Sequence, residues 1–286
     1  MNGWIIFALV FWLAAWALNE FLSRRSFGNS FTQKAINLFI PLLFGVTLLV
    51  LWEGLVRGFN VSQILLPAPS MIWAKLTQST SLLWTDFRQT YLKAVISGYV
   101  MGCGAGFIVA ILADRVPFLR AGLLPLGNFV ASLPIIGLAP IMVLWFGFDW
   151  QSKAAIVVAM VFFPMLVNTV AGLAATDMMQ KDLMRTYAAS YWQTLFKLRL
   201  PAAMPFIFNA LKINSTLALI GAIVAEFFGS PVSGLGFRIS TEVGKLNVDM
   251  VWAAIAISAL AGSLSYGALA LFERFVTFWH PSIRKG

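Results

Sequence analysis

The chain is cut into apolar runs of about 20 residues, the length needed to cross a bilayer. They lie at about 4–22, 36–55, 91–112, 121–146, 154–174, 206–228 and 250–272, with short polar stretches between. In hydrocarbon every backbone N–H and C=O must be satisfied internally, so runs of this length are read as helices. Only 11% of the residues are charged, and the mean hydropathy is +0.84. A soluble domain carries about 25% charged residues. The expected fold is an all-α integral membrane protein.

Several features refine the spans. The fourth run holds Pro125, Pro134 and Pro140, so it must be bent or broken. Between the second and third runs the chain is too polar to span. There Pro67 and Pro69 precede a short amphipathic helix from Ser70, with Ile72, Trp73 and Leu76 expected on one side. The first run follows "MNGW", which lacks the positive charge of a cleaved signal, and is read as a retained span. Residues 1–30 then form an extra N-terminal helix and basic loop, ahead of a main unit over 31–286.

Basic residues set the orientation. Assigned to alternate sides, the loops hold twelve Lys and Arg on the side of Arg24, Arg25, Arg115 and Arg199, against seven on the other. Lys212, at a span end, is expected to extend toward the interface. The richer side is read as cytosolic, so the N-terminus is expected outside and the C-terminus inside. The net charge of +9 is spread over many loops, which argues against nucleic acid as a partner. One cysteine (Cys103) and one histidine (His280), far apart, offer no metal site.

One segment breaks the pattern: "DLMRTYAASYWQTLFKLRLPAAMP", residues 182–205. It is charged and doubly interrupted by proline, and it falls on the cytosolic side. From Asp182 a helix is expected, with the acid in its first turn. Ser190 and Gln193 have the spacing of a capping box, starting a second helix that should end before Pro201. Read alone, the segment suits either an interfacial amphipathic helix or a docking element.

This stretch resembles the cytosolic signature of the permease subunits of binding-protein-dependent ABC importers, E-A-A-x-x-x-G followed nine residues later by I-x-L-P. Asp182, Leu183 and Met184 stand for its E-A-A, Ala188 for its Gly and Leu198 for its Ile; Leu200, Pro201 and the further Pro205 match as they are. "ILLPAPSMIWAKL", "GLAPIMVLWFG", "FFPMLVNTVAGL" and "IVAEFFGSPVSGLGFRI" look like the nitrate, sulfonate, taurine and bicarbonate branch, in order, over about 64–239. The resemblance implies a six-helix importer core, to which the first span is an addition. It also implies a coupling segment that docks on a cytosolic ATPase subunit through Asp182, Leu183, Arg185, Ala188, Leu198, Leu200 and Pro201. Further implied partners are a periplasmic solute-binding protein and a second copy of the permease, in the inner membrane of a bacterium. An apolar edge of Leu183, Tyr187, Trp192 and Leu195 is expected to face the ATPase. Ala188 departs from the pattern: a left-handed alanine costs about 1 kcal/mol, so either it is strained or the helices join by another turn.

No phosphate-binding loop is present, since "GSPVSGLG" lacks the Lys and Ser/Thr that contact phosphate and Mg²⁺. ATP would be bound by the partner subunit; no cofactor and no catalytic residue is expected in this chain. Asn128, Ser132, Asn168, Asn214 and Glu226 are polar positions within or at the ends of spans, where ionisable and amide groups line pathways or bond between helices. For Glu226 a structural pairing stands ahead of a gate. Gly98, Gly102 and Gly106 share one helix face, suited to close packing. A secondary transporter or a membrane-embedded enzyme are the alternatives; an enzyme would need a cluster of His, Asp or Glu at membrane depth, where only Glu226 is available.

Overall fold

The computed structural model describes residues 3–25, 30–131, 134–229 and 232–279, all helices and connections with no strand among them. Thirteen α-helices and two π-turns follow one another. They are α1 (Gly3–Ser23), α2 (Ser30–Gly58), α3 (Pro69–Gln78), α4 (Thr80–Phe87), a π-turn (Arg88–Val95) and α5 (Ile96–Arg115). Next come α6 (Pro117–Ala131), α7 (Ile135–Phe146), α8 (Trp150–Ala174), α9 (Met178–Thr186), α10 (Tyr191–Thr194) and a second π-turn (Leu195–Arg199). The last are α11 (Leu200–Glu226), α12 (Leu235–Gly244) and α13 (Val248–Val276).

Among the described residues six helical stretches are long and apolar enough to cross a membrane: α1, α2, the continuous Thr80–Arg115, α8, the continuous Tyr191–Glu226, and α13. The expected fourth span is broken: α6 and α7 are separate, and Pro134 is the extended residue that caps α7. With the broken pair α6 and α7 counted as one, these are α1 and six further elements. The stretches Thr80–Arg115 and Tyr191–Glu226 have 36 residues each. At 1.5 Å per residue each is about 54 Å long, against a hydrocarbon core of about 30 Å, so each projects well beyond it.

The chain forms two compact units. In the first (1–80 and 241–253), α1 lies along α2. A Cβ on Gly54 would overlap Ala8, and one on Gly58 would overlap Ile5, so the two backbones approach where α2 has no side chain. Glu53 of α2 holds the start of α3, accepting from the Ser70 backbone N–H (2.9 Å) and hydroxyl (2.7 Å). On α3 itself, Ile72 is buried, Leu76 is half-buried and Trp73 is exposed, so the expected single face divides.

In the second unit (81–240 and 254–286), α8 is the centre, packed on α5 and α11. The glycines at 98, 102 and 106 form the α5 contact. A Cβ on Gly98 would lie 2.6 Å from the Ala154 carbonyl, and one on Gly106 2.5 Å from that of Phe162; Gly102 faces Val158 and Val161. Between α8 and α11 the approach is set by Gly172 against Ala203 and Phe206. Lipid tails are as apolar as leucine, so helices associate through such close packing rather than through a hydrophobic drive. Asn214, fully buried on α11, adds a polar link: its amide donates to the Val161 carbonyl (2.9 Å) and to Cys103 Sγ (3.3 Å). Lys212, expected to extend toward the interface, is held in an ion pair. Its ammonium meets Glu273 at 2.6 Å, with both side chains largely covered, because a buried charge is retained only when paired.

Gly102→Leu puts an isobutyl group where a single methyl already overlaps Val161. It should lower the folded, monodisperse yield in detergent, measured by size-exclusion chromatography against Gly104→Leu, whose Cβ position is open. Equal yields would show that the α5 face is not packed.

Candidate functional site

Between the end of α8 and the start of α11 the chain builds a two-helix element. The first helix begins at Met178, four residues before the expected Asp182. Asp177 is its N-cap, accepting from the Met179 N–H at 3.2 Å. Asp182 therefore sits mid-helix, and its carboxylate meets Arg185 one turn on at 3.3 Å, with both side chains mostly exposed. Such exposed pairs are worth well under about 1 kcal/mol, so this one sets surface charge rather than stability.

The helix ends in a Schellman motif. The Ala189 N–H donates to the Met184 carbonyl (3.0 Å) and the Ala188 N–H to the Arg185 carbonyl (2.8 Å). That requires a left-handed residue at the junction, and Ala188 takes it, with φ of +51°. Of the two outcomes the sequence left open, the strained alanine is the one found. Two residues later the capping box forms: Ser190 Oγ accepts from the Gln193 N–H (3.3 Å), and Gln193 Oε1 accepts from the Ser190 N–H (2.8 Å).

The second helix does not end before Pro201. It passes through the π-turn into α11, so this helix and a candidate span are one continuous rod. A π-turn widens the ring to i→i+5, as in the Leu200 N–H to Leu195 carbonyl bond. Pro201 then falls in the first turn of α11, where its missing N–H costs little.

The two helices present an apolar edge. Met179, Leu183, Tyr187, Trp192 and Phe196 are all exposed, Tyr187 to 77%. Leu195, expected on that edge, is fully buried and belongs to the core around α8 and α11; Phe196 takes the outward position. Leu198 and Leu200 are half-buried, and Leu200 packs on the same core. The inner side is fixed by charge. Arg199 forms a two-pronged pair with Asp114 of α5 (2.8 and 2.6 Å), and Tyr191 donates to the same carboxylate at 2.9 Å.

The family described as binding-protein-dependent transport system inner membrane component matches residues 102–278. The chain belongs to this family. The permease is 33% identical to the formylaminopyrimidine transport permease protein of Halalkalibacterium halodurans over 84% of this chain and 95% of that one. It is 30% identical to a putative aliphatic sulfonates transport permease protein of Bacillus subtilis, over 84% and 87%. In fold it is similar to a chain of the inward-facing MetNI methionine ABC transporter, with a TM-score of 0.53 and 17% identity, over 73% of this chain and 99% of that one.

At the other end of α11 the permease carries a second polar centre. Glu226 is 3% exposed, and its carboxylate accepts from Thr90 Oγ1 (2.7 and 2.9 Å) and from the Gly236 N–H (2.7 Å). Thr90 in turn accepts from the Leu235 N–H (2.7 Å). Asp86, fully buried, accepts from the Gly234 N–H (2.9 Å) and from Arg238 Nε (2.7 Å). The loop before α12 is thus held on the π-turn and on α4. Gly234 has φ of +141°, and a Cβ there would lie 2.6 Å from the Glu226 carboxyl, which is why "SGLG" must be glycine at that point. Asp86, Thr90 and Arg238 were not singled out from the sequence; the pairing partner sought for Glu226 is supplied by a hydroxyl and backbone N–H groups instead.

Of the remaining pathway candidates, Asn168 donates to the Pro164 carbonyl of its own helix (2.8 Å). Asn128 lies on α6, and Ser132 falls outside the described residues. Among the described residues no group of three His, Cys, Asp or Glu could hold a metal ion.

Ala188→Gly removes the left-handed penalty of about 1 kcal/mol at the junction. Amide exchange at Tyr187, Ala188 and Ala189 should slow by roughly fivefold in the variant. Unchanged exchange would mean that the junction opens without releasing that strain.

Proposed function

We propose that this permease is the membrane half of an ATP-driven importer, in which the element at 182–205 couples a cytosolic ATPase subunit to the spans. One observation carries the reading: the element is exposed and apolar on its outer edge, yet continuous through the π-turn with α11. A helix built to rest on lipid needs no continuous connection to a span; a lever does. Asp182, Leu183 and Arg185 would set the register of docking, Ala188 the angle between the two helices, and Leu198, Leu200 and Pro201 the transfer into α11.

In the same reading ATP is bound by the partner subunit, and two copies of the permease enclose the path. A periplasmic binding protein delivers the solute to it. Residues 31–286 act as the transport unit, with 1–30 as an added helix and loop. The N-terminus faces the periplasm and the C-terminus the cytosol of a bacterial inner membrane, which the excess of basic residues beside Arg24, Arg115 and Arg199 supports. Asn128, Ser132, Asn168, Asn214 and Glu226 are the candidates for polar positions along the path. The relatives named for formylaminopyrimidine and aliphatic sulfonates point to a small polar or anionic solute of those classes.

The test separates insertion from coupling. Asp182→Lys reverses an exposed charge in mid-helix without touching a span, and Arg185→Glu does the same for its neighbour. Both variants should reach wild-type levels in membranes, retain less ATPase on pull-down and lose uptake of labelled formylaminopyrimidine or butanesulfonate, whichever the wild type transports. Full uptake with intact ATPase association in both would refute the coupling role. Reporters fused at the two ends check the orientation: a periplasmic reporter should be active at the N-terminus and silent at the C-terminus.

A further inference from the structure

We propose, resting on the coupling reading, that the Asp114–Arg199 pair is a brace through which the coupling segment moves α5 and α8 together with α11. Covalent continuity carries motion from α10 into α11 only through the π-turn, Leu195–Arg199. A π-turn is a poorer strut than an α-helix, because its wider i→i+5 ring interrupts the regular i→i+4 ladder, and such turns recur at functional sites. Left alone, it would bend and absorb a push on the segment.

The structure bridges this weak point at both ends with one carboxylate. Tyr191, at the start of α10, and Arg199, at the end of the π-turn, both bond to Asp114, which lies next to the last residue of α5 and 85 residues from Arg199. The guanidinium also reaches α8: Arg199 Nε and Nη2 donate to the Leu173 carbonyl in its last turn, at 3.2 and 3.1 Å. A cation at that position suits the negative end of the helix. The neighbouring Arg115 lies over the Tyr191 and Trp192 rings, 5.8 and 5.7 Å from their centroids. Three helix ends thus meet at a single fork.

The pair is also shielded, with side-chain exposures of 16% for Arg199 and 5% for Asp114. A buried ion pair adds little net stability over an apolar substitute, but it holds its partners in one geometry, and that is the property a brace needs. Lysine would not replace the arginine, since only the planar fork serves the carboxylate and the Leu173 carbonyl together.

The experiment uses the permease with its ATPase in nanodiscs, in a Cys103→Ser background, with spin labels at Lys197→Cys on the segment and Ile108→Cys on α5, both exposed sites. The distance between labels is measured without nucleotide and with ATP and vanadate. With the brace intact it should be the same in both states. In Arg199→Met and Asp114→Asn it should shift or broaden on addition of nucleotide, while ATP hydrolysis continues; Asp114→Glu, which can remake the pair, should restore the constant distance. A distance that changes in the intact protein, or stays constant in Arg199→Met and Asp114→Asn, overturns the brace. Loss of both variants from the membrane would assign the pair to folding and overturns it as well. Absence of ATPase on the intact permease would instead overturn the coupling reading, and the brace with it.

Discussion

Everything in the second unit depends on how closely α5 and α11 approach α8. In hydrocarbon, water provides no drive for helices to associate, so contact must come from dispersion over short distances. The glycines at 98, 102 and 106 bring the α5 backbone against Ala154, Val158 and Phe162, and Gly172 does the same for α11 at Ala203. Asn214 then ties α11 to α8 and α5 with one amide, at a depth where an unbonded donor would cost several kcal/mol. A frame so closely packed has few intermediate arrangements, and displacement of one helix end is felt along its neighbours.

The polar residues are placed at the two ends of this frame. At one end Glu226, Thr90 and Asp86 hold the glycine-rich loop before α12; at the other, Asp114 and Arg199 gather the ends of α5, α8 and the second π-turn. Both centres satisfy buried charge with several directed hydrogen bonds rather than with solvent. Both also sit beside π-turns, Arg88–Val95 and Leu195–Arg199, so that the more compliant turns of the long rods are the ones given cross-links.

Much of this could be read from the sequence where the cause is local. Apolar run length located the spans, proline spacing predicted the break between α6 and α7, and Ser190 with Gln193 announced a cap that the structure forms. The spacing of three glycines predicted a packed face. What was missed depends on partners distant in sequence or on competition between local rules. The first helix of the two-helix element starts at Met178, four residues before Asp182, because Asp177 caps it and Met179 extends the Leu183–Tyr187 edge by one turn. Pro201 was expected to stop a helix, but a π-turn before it makes room for the ring. Leu195 is turned inward by that same turn. The Lys212–Glu273 and Asp114–Arg199 pairs join residues 61 and 85 positions apart, a separation no local pattern reveals.

In the proposed function the outer edge of the two-helix element touches an ATPase rather than lipid. Photo-crosslinking from benzoylphenylalanine placed at Tyr187, the most exposed aromatic of that edge, addresses it directly in intact membranes. The account predicts an adduct to the ATPase subunit from Tyr187, and none from the same residue placed at Phe59, beyond the far end of α2. Adducts only to lipid from Tyr187 would contradict it.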